Sequence, residues 1–204
     1  MAFPGSSSGP ASREDSGASW GVAIVANYGL SNDLELVIEG TVIAESHPEP
    51  EEHRTRLIDT ALSAKYLLRR GSLQESTGAS VAGECGMLLP TIHDEDNVGG
   101  ECALIASRRW PMLTVHLNGV VEYARDHRWN TALGAILEGP EAWPLRPVAE
   151  VLVEDGEAGA STRAALIGLI WQASGSLSWD VGLRYADTDG AIDREVRAGV
   201  TWAL

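Results

Sequence analysis

Leu177-Ser-Trp-Asp-Val-Gly-Leu-Arg-Tyr-Ala186 is the stretch whose reading decides the fold. Taken every second residue, it places Trp179, Val181, Leu183 and Tyr185 on one side and Ser178, Asp180, Gly182, Arg184 and Ala186 on the other. Successive side chains of an extended chain point to opposite faces, so this is a strand with one apolar and one polar face. The apolar face carries aliphatic residues in its middle and aromatic residues at its ends, as a lipid-facing strand does when Trp and Tyr sit at the two headgroup levels.

The same alternation recurs along the chain. From Trp20 to Tyr28 the apolar side holds Val22, Ile24 and Ala26, and Leu34, Leu36, Ile38 and Val42 oppose Glu35, Glu39 and Thr41. Ile58, Leu62, Tyr66 and Leu68 oppose Asp59, Ser63 and Lys65, and Val81, Cys85, Met87 and Leu89 oppose Ser80 and Glu84. Leu113, Val115, Leu117, Val121 and Tyr123 oppose Thr114, His116, Asn118 and Glu122. Further strands are expected over 101–108, 129–137, 145–154, 163–172 and the C-terminal segment carrying Val196, Ala198, Val200 and Trp202. The expected fold is an all-β, antiparallel, up-and-down transmembrane barrel of 11–12 strands over residues 18–204, behind a flexible Ser/Gly/Pro-rich tail over 1–17.

A soluble antiparallel sandwich or barrel would alternate as well, with its apolar side inward. Strand number favours the opposite orientation. About eleven strands in one closed sheet enclose an interior too wide for Val, Leu and Ala to fill, so the polar face is better placed inside, lining water. Aromatic usage points the same way: seven Trp and four Tyr against one Phe is a composition for an interface between oil and water.

Composition limits the partners. A formal charge of −14 and a single lysine, Lys65, leave no basic surface to meet a phosphate backbone, so no nucleic acid is expected. Long connections expected at 45–55, 91–101, 154–162 and 186–195 hold about half of the 29 acidic residues, whereas Arg69-Arg70 and Arg108-Arg109 fall at short turns. No run reaches the ~18 apolar residues of a spanning helix, and residues 1–17 lack a charged start followed by an apolar segment. Cys85 and Cys102 fall on adjacent expected strands, where either a disulfide or two free thiols fits.

Several segments also resemble a known family: Leu30-Ser-Asn-Asp-Leu-Glu-Leu36 after Tyr28-Gly29, Arg146-Pro-Val-Ala-Glu-Val-Leu-Val-Glu154, Val181-Gly-Leu-Arg-Tyr185 and Val196-Arg-Ala-Gly-Val-Thr-Trp202. Over roughly residues 18–204 the chain is similar to the bacterial outer-membrane β-barrels of the meta-pathway phenol degradation transporter family. The resemblance implies a Gram-negative outer-membrane location and passage of small, often aromatic, molecules. It brings no catalytic residues.

The residues expected to line a passage are Glu35, Glu39, Asp59, Lys65, Glu84, His116, Asn118, Glu122, Arg146, Glu150, Asp180, Arg184 and Arg197. Fixed charge there would set ion and solute preference, although pairing of both signs across strands would equally plug the space. The expected aromatic girdle is Trp20, Tyr28, Tyr66, Tyr123, Trp129, Trp171, Trp179, Tyr185 and Trp202. His116 and Asn118 bring to mind the base of a Ser/His hydrolase, but no serine is placed by a motif, and no enzyme activity is expected. His47, His53 and the His93-Asp-Glu-Asp96 run are weak metal candidates against solvated loops, and Asp187-Thr-Asp-Gly190 lacks the remaining spacing of a calcium loop. No metal or other cofactor is expected. The expected partners are outer-membrane lipid and a small-molecule solute, with the oligomeric state open.

Overall fold

The computed structural model describes residues 19–45, 55–92, 96–156, 159 and 161–203. The tail over 1–17 and the loop candidates His47, His53, His93, Asp94 and Glu95 lie outside the described residues. Eleven strands follow one another: β1 Ser19–Gly29, β2 Leu34–Glu45, β3 Thr55–Arg69, β4 Ser80–Leu88, β5 Gly99–Trp110, β6 Leu113–Tyr123, β7 Trp129–Glu138, β8 Leu145–Gly156, β9 Ser161–Gln172, β10 Leu177–Thr188 and β11 Ala191–Trp202. The only helical element among the described residues is a 3₁₀ turn, Ser72–Gln74. The strands form one sheet in the order β1 to β11, each beside its neighbours in sequence. This is the all-β, antiparallel, up-and-down topology of a β-barrel, with every connection a hairpin.

Short hairpins need special backbone at their tips, and the sequence supplies it. Asp189 and Gly190 both adopt positive φ between Thr188 and Ala191, the arrangement of a two-residue turn that matches strand twist. The Asp187 carboxylate accepts the Gly190 amide at 2.8 Å. The long acidic loop expected over 186–195 is therefore a tight turn: β10 and β11 pair all the way to Thr188 and Ala191, and Asp187 serves the turn. In the β1–β2 turn, Ser31 Oγ accepts the amides of Asp33 and Leu34, and His127, at φ 65°, closes the β6–β7 turn with its amide on the Ala124 carbonyl.

The chain divides into two compact units. The first comprises residues 1–66, 84–102 and 122–129, the second 67–83, 103–121 and 130–204. In the first, β1 pairs with β2 from Ser19↔Glu45 to Gly29↔Glu35, and β2 pairs with β3 until the register shifts between Glu39 and Thr41. Ala61 faces Glu39 and Ile58 faces Thr41, so β3 holds one residue more than β2 across this interval. Asp59, at φ 52°, marks the irregularity. An extra residue reverses which face the preceding side chains take. Ile58, expected to look out beside Leu62, is instead only 6 % exposed, while Leu62 and Tyr66 are exposed.

Cys85 on β4 and Cys102 on β5 form a disulfide, resolving the choice between bridge and free thiols. In the second unit the pairing is continuous. β7 to β8 runs from Asn130↔Gly156 to Glu138↔Val148, β8 to β9 from Leu145↔Trp171 to Asp155↔Ser161, and β9 to β10 from Gln172↔Ser178 to Thr162↔Thr188.

Removal of the bridge by a Cys85→Ser, Cys102→Ser double substitution should lower the unfolding free energy. The bridge spans 17 residues in sequence, for which the lost loop constraint is about 3 kcal/mol. Denaturant titrations of the oxidised protein and the double variant measure it, and unchanged midpoints would show that the bridge does not constrain the unfolded chain.

Candidate functional site

Apart from β1, whose residues 20–29 are all exposed, the strands of both units present one exposed and one sheltered face, and the sequence divides its side chains between them. All thirteen residues expected to line a passage are half-buried, and all nine expected girdle aromatics are exposed. Along β10, Trp179, Val181, Leu183 and Tyr185 are exposed, while Asp180 and Arg184 are half-buried and Gly182 is buried. Trp171 and Trp179 stand directly opposite each other on β9 and β10. Tyr123 lies 5.7 Å from the His127 ring and 5.1 Å from that of Trp129, measured between centroids. Two exposed tryptophans belong to the same set and were not expected there: Trp110, which ends β5 two residues beyond the expected boundary, and Trp143 in the β7–β8 turn. Arg108 stacks over Trp110 at 4.9 Å.

The sheltered face of the first unit is acidic. Glu35 stands opposite Lys65, and Glu39 opposite Ala61. Glu84 accepts a hydrogen bond from Ser63 Oγ at 2.5 Å. Glu101 and Glu122 are half-buried as well. Glu101 was expected at the boundary between the 91–101 connection and the 101–108 strand and was not singled out; β5 begins at Gly99, and the alternation running back from Ser107 turns this carboxylate to the sheltered side. Arg125 compensates locally. Its Nε donates to the Leu89 carbonyl and its Nη2 to the Thr60 carbonyl, both at 2.8 Å, and Thr60 Oγ1 lies 3.0 Å from the same Leu89 oxygen. The guanidinium thereby ties β3, the end of β4 and the β6–β7 turn together.

The second unit carries both signs. Ser107 on β5 meets His116 Nδ1 at 2.8 Å, and His116 Nε2 lies 3.5 Å from Glu138 on β7. This chain is the nearest approach to a Ser/His/acid constellation, but Ser107 is 4 % exposed, so the chain acts as a polar staple across three strands. Glu138 was not singled out because β7 was expected to end at Leu137. Asn118 is half-buried on the same side of β6. Arg184 approaches Asp193 and Glu195 at 3.7 and 3.8 Å, and Arg197 pairs with Glu195 at 2.9 Å. Glu150 and Arg184 flank Leu166, each its direct partner in register.

On β9 the sheltered side is not polar. Between Thr162 and Gln172, Ala164, Leu166, Gly168 and Ile170 occupy it, so the middle of this strand is apolar on both faces. Gly168 is required: a Cβ there would lie 2.5 Å from the Val181 carbonyl oxygen and 3.2 Å from Val148 Cγ1. The arrangement can bind water, ions and small amphiphilic molecules through fixed charges beside an apolar strip. Among the described residues no group of three or more His, Cys, Asp or Glu is placed to hold a metal ion.

Replacing Arg125 by Met should strand the Leu89 and Thr60 carbonyls and lower stability by roughly 3 kcal/mol, on the scale of hydrogen bonds to a charged group. Urea titration reads this loss, and an unchanged midpoint would show that the clamp contributes nothing net. No family model, curated protein or solved structure matches this chain.

Proposed function

We propose that this protein is a bacterial outer-membrane β-barrel channel that passes small molecules, with its sheltered polar face lining the passage and its exposed apolar face in lipid. The observation that carries the reading is the exposure of the large apolar side chains. Val196 is 73 % exposed, Leu133 70 % and Ile167 65 %, and they lie on strands whose opposite faces hold Arg197, Gly134 and Leu166. Water penalises such a surface by roughly 25 cal/mol per Å² of apolar area, and contiguous patches of this kind mark interaction with lipid or protein. A soluble all-β module with an apolar pocket would turn these side chains inward.

Three further features agree. The Trp and Tyr side chains cluster near strand ends on the exposed face, where membrane interfaces place them. From β2 to β10 each strand has a hydrogen-bonded neighbour on both sides, the pairing that a bilayer demands of strand amides. The disulfide suits an oxidising compartment such as the periplasm. Passage of aromatic or hydrophobic solutes rests on the family resemblance of the sequence. No catalytic step is part of the reading. A closed structural barrel is the second reading, favoured by the paired charges around Arg184 and Glu195 and by the apolar inner side of β9.

The purified protein should require detergent to remain folded and monodisperse, and it should conduct ions in planar bilayers. Recovery of a folded monodisperse species without detergent would overturn the membrane assignment, and a silent bilayer record from folded protein would favour the closed barrel. Glu150→Gln should shift the reversal potential toward anions, since a fixed negative charge leaves the passage; an unchanged potential would remove this position from the permeation path. Leu183→Arg, near the middle of β10, should cost about 2–4 kcal/mol of folding free energy in phospholipid bilayers. Tolerance of that arginine would argue against lipid at this face.

A further inference from the structure

The β5–β6 hairpin ends in an apolar tip. Two residues, Pro111 and Met112, connect Trp110 at the end of β5 to Leu113 at the start of β6. None of the four is charged, and Trp110, Met112 and Leu113 are all exposed, Met112 to 68 %. Turns that end in water are ordinarily built from Gly, Asn, Asp and Ser with Pro. A tip of Trp, Pro, Met and Leu instead suits contact with an apolar or interfacial partner.

One cation stands beside this tip. Arg108 is exposed and shares a face of β5 with Trp110, two residues away; its guanidinium lies 4.9 Å from the centre of the Trp110 ring. Among the described residues it makes no ion pair. The adjacent Arg109 takes Glu141, the acid of the β7–β8 turn, at 2.6 Å. A guanidinium stacked on a ring keeps its in-plane N–H donors available for an anion. The distribution of charge over the strands points to the same kind of partner. The chain has 29 acidic against 15 basic residues, yet the exposed charged residues of the described strands are Arg69, Arg108, Arg163 and Arg194 against Asp155 and Asp193. The strands therefore expose arginine where they shelter carboxylates.

We propose that the β5–β6 tip is a binding site for an anionic phospholipid, with the Arg108 guanidinium on the phosphate and Trp110, Met112 and Leu113 against the glycerol and upper acyl chains. Arginine pairs with phosphate in a bidentate, charge-assisted contact. Trp suits the depth at which headgroup meets hydrocarbon, since its ring is apolar and its N–H polar. A long arginine stem lies along apolar surface while its head reaches the polar layer. Placement of the rest of this face in acyl chains rests on the channel reading, whereas the tip site requires only a lipid surface.

Mass spectrometry of the intact, detergent-solubilised protein tests the site by counting bound phosphatidylglycerol, with phosphatidylcholine and inorganic phosphate as comparison probes. The first phosphatidylglycerol should bind about tenfold tighter than phosphatidylcholine, on the scale of hydrogen bonds to a charged group. This preference should vanish in Arg108→Gln, return in part in Arg108→Lys, and persist in Arg163→Gln, where the exposed arginine stands opposite Asp187. Trp110→Ala should weaken both lipids alike, because the ring bears on the parts they share. Equal affinity for the two lipids, or an undiminished preference in Arg108→Gln, would overturn the proposal. Inorganic phosphate bound as tightly as phosphatidylglycerol would overturn it in favour of a free anion. Should the protein stay folded and monodisperse without detergent, flotation with phosphatidylglycerol vesicles reads the same site. Flotation that depends on Arg108 would then sink only the membrane-spanning reading, while a conducting barrel without lipid preference would sink only the site.

Discussion

Strict two-residue alternation within a continuous hydrogen-bond ladder is the constraint on which everything else here depends. Each strand pairs with its sequence neighbours, and a change of one residue in register would exchange its two faces. Because one face carries Val181, Leu183, Ile167 and Val196 and the other Asp180, Arg184, Glu150 and Arg197, such an exchange would put charge where oil is and oil where charge is. The pattern therefore fixes register more strongly than any single pair does, and it locates the polar residues before their identities matter. The β2–β3 irregularity shows the constraint at its limit. The extra residue near Asp59 reverses the preceding side chains, so that Ile58 and Arg56 share the sheltered side.

Much of this was legible in the sequence, for a physical reason. Alternation of polar and apolar residues over ten positions is a long signal, and a face assigned from Trp179, Val181, Leu183 and Tyr185 needs no knowledge of partners. The antiparallel hairpin order followed from the short turns. What was not legible depends on pairing. The register that brings Cys85 to Cys102 comes from the β4–β5 ladder and not from either strand alone. Glu101 and Glu138 sit at strand ends, where boundaries are set by hydrogen bonds to a neighbour and Gly-Gly or Gly-Pro sequences suggest a loop. Ser107–His116–Glu138 spans three strands, and nothing in the spacing of these residues announces it. The acidic stretch around Asp187–Asp193 looked like a solvated loop because charge density outweighed Asp-Gly as a turn signal, yet positive φ at both Asp189 and Gly190 lets the ladder run almost to the tip.

The two units distribute charge differently on their sheltered faces, and the difference follows from where arginine is placed. In the first, Arg125 donates to backbone carbonyls, and carboxylates outnumber cations on the sheltered side, with Glu39, Glu84 and Glu101 close enough to repel one another. In the second, arginines reach carboxylates on the same or the next strand, as Arg184 and Arg197 do with Glu195. The carboxylates of the first pattern set up a negative field, which salt screens over about 8–10 Å. A face made of the second has little net field and acts through contact.

Contact is where β9 matters. Its sheltered side is small and apolar, and the neighbouring side chains lean across glycines: Val148 over Gly168, Leu166 over Gly182 and Asp180 over Gly199, each approaching within 3.2 Å or less of the position a Cβ would take. Three such overlaps in succession turn what would be a row of upright side chains into a shingled layer. The layer buries Ile170 and Val148 without a second sheet above them, and it consumes space that a purely polar face would leave to water. Charge at its margins then meets an apolar surface instead of bulk solvent, which strengthens each remaining electrostatic contact as the local dielectric falls.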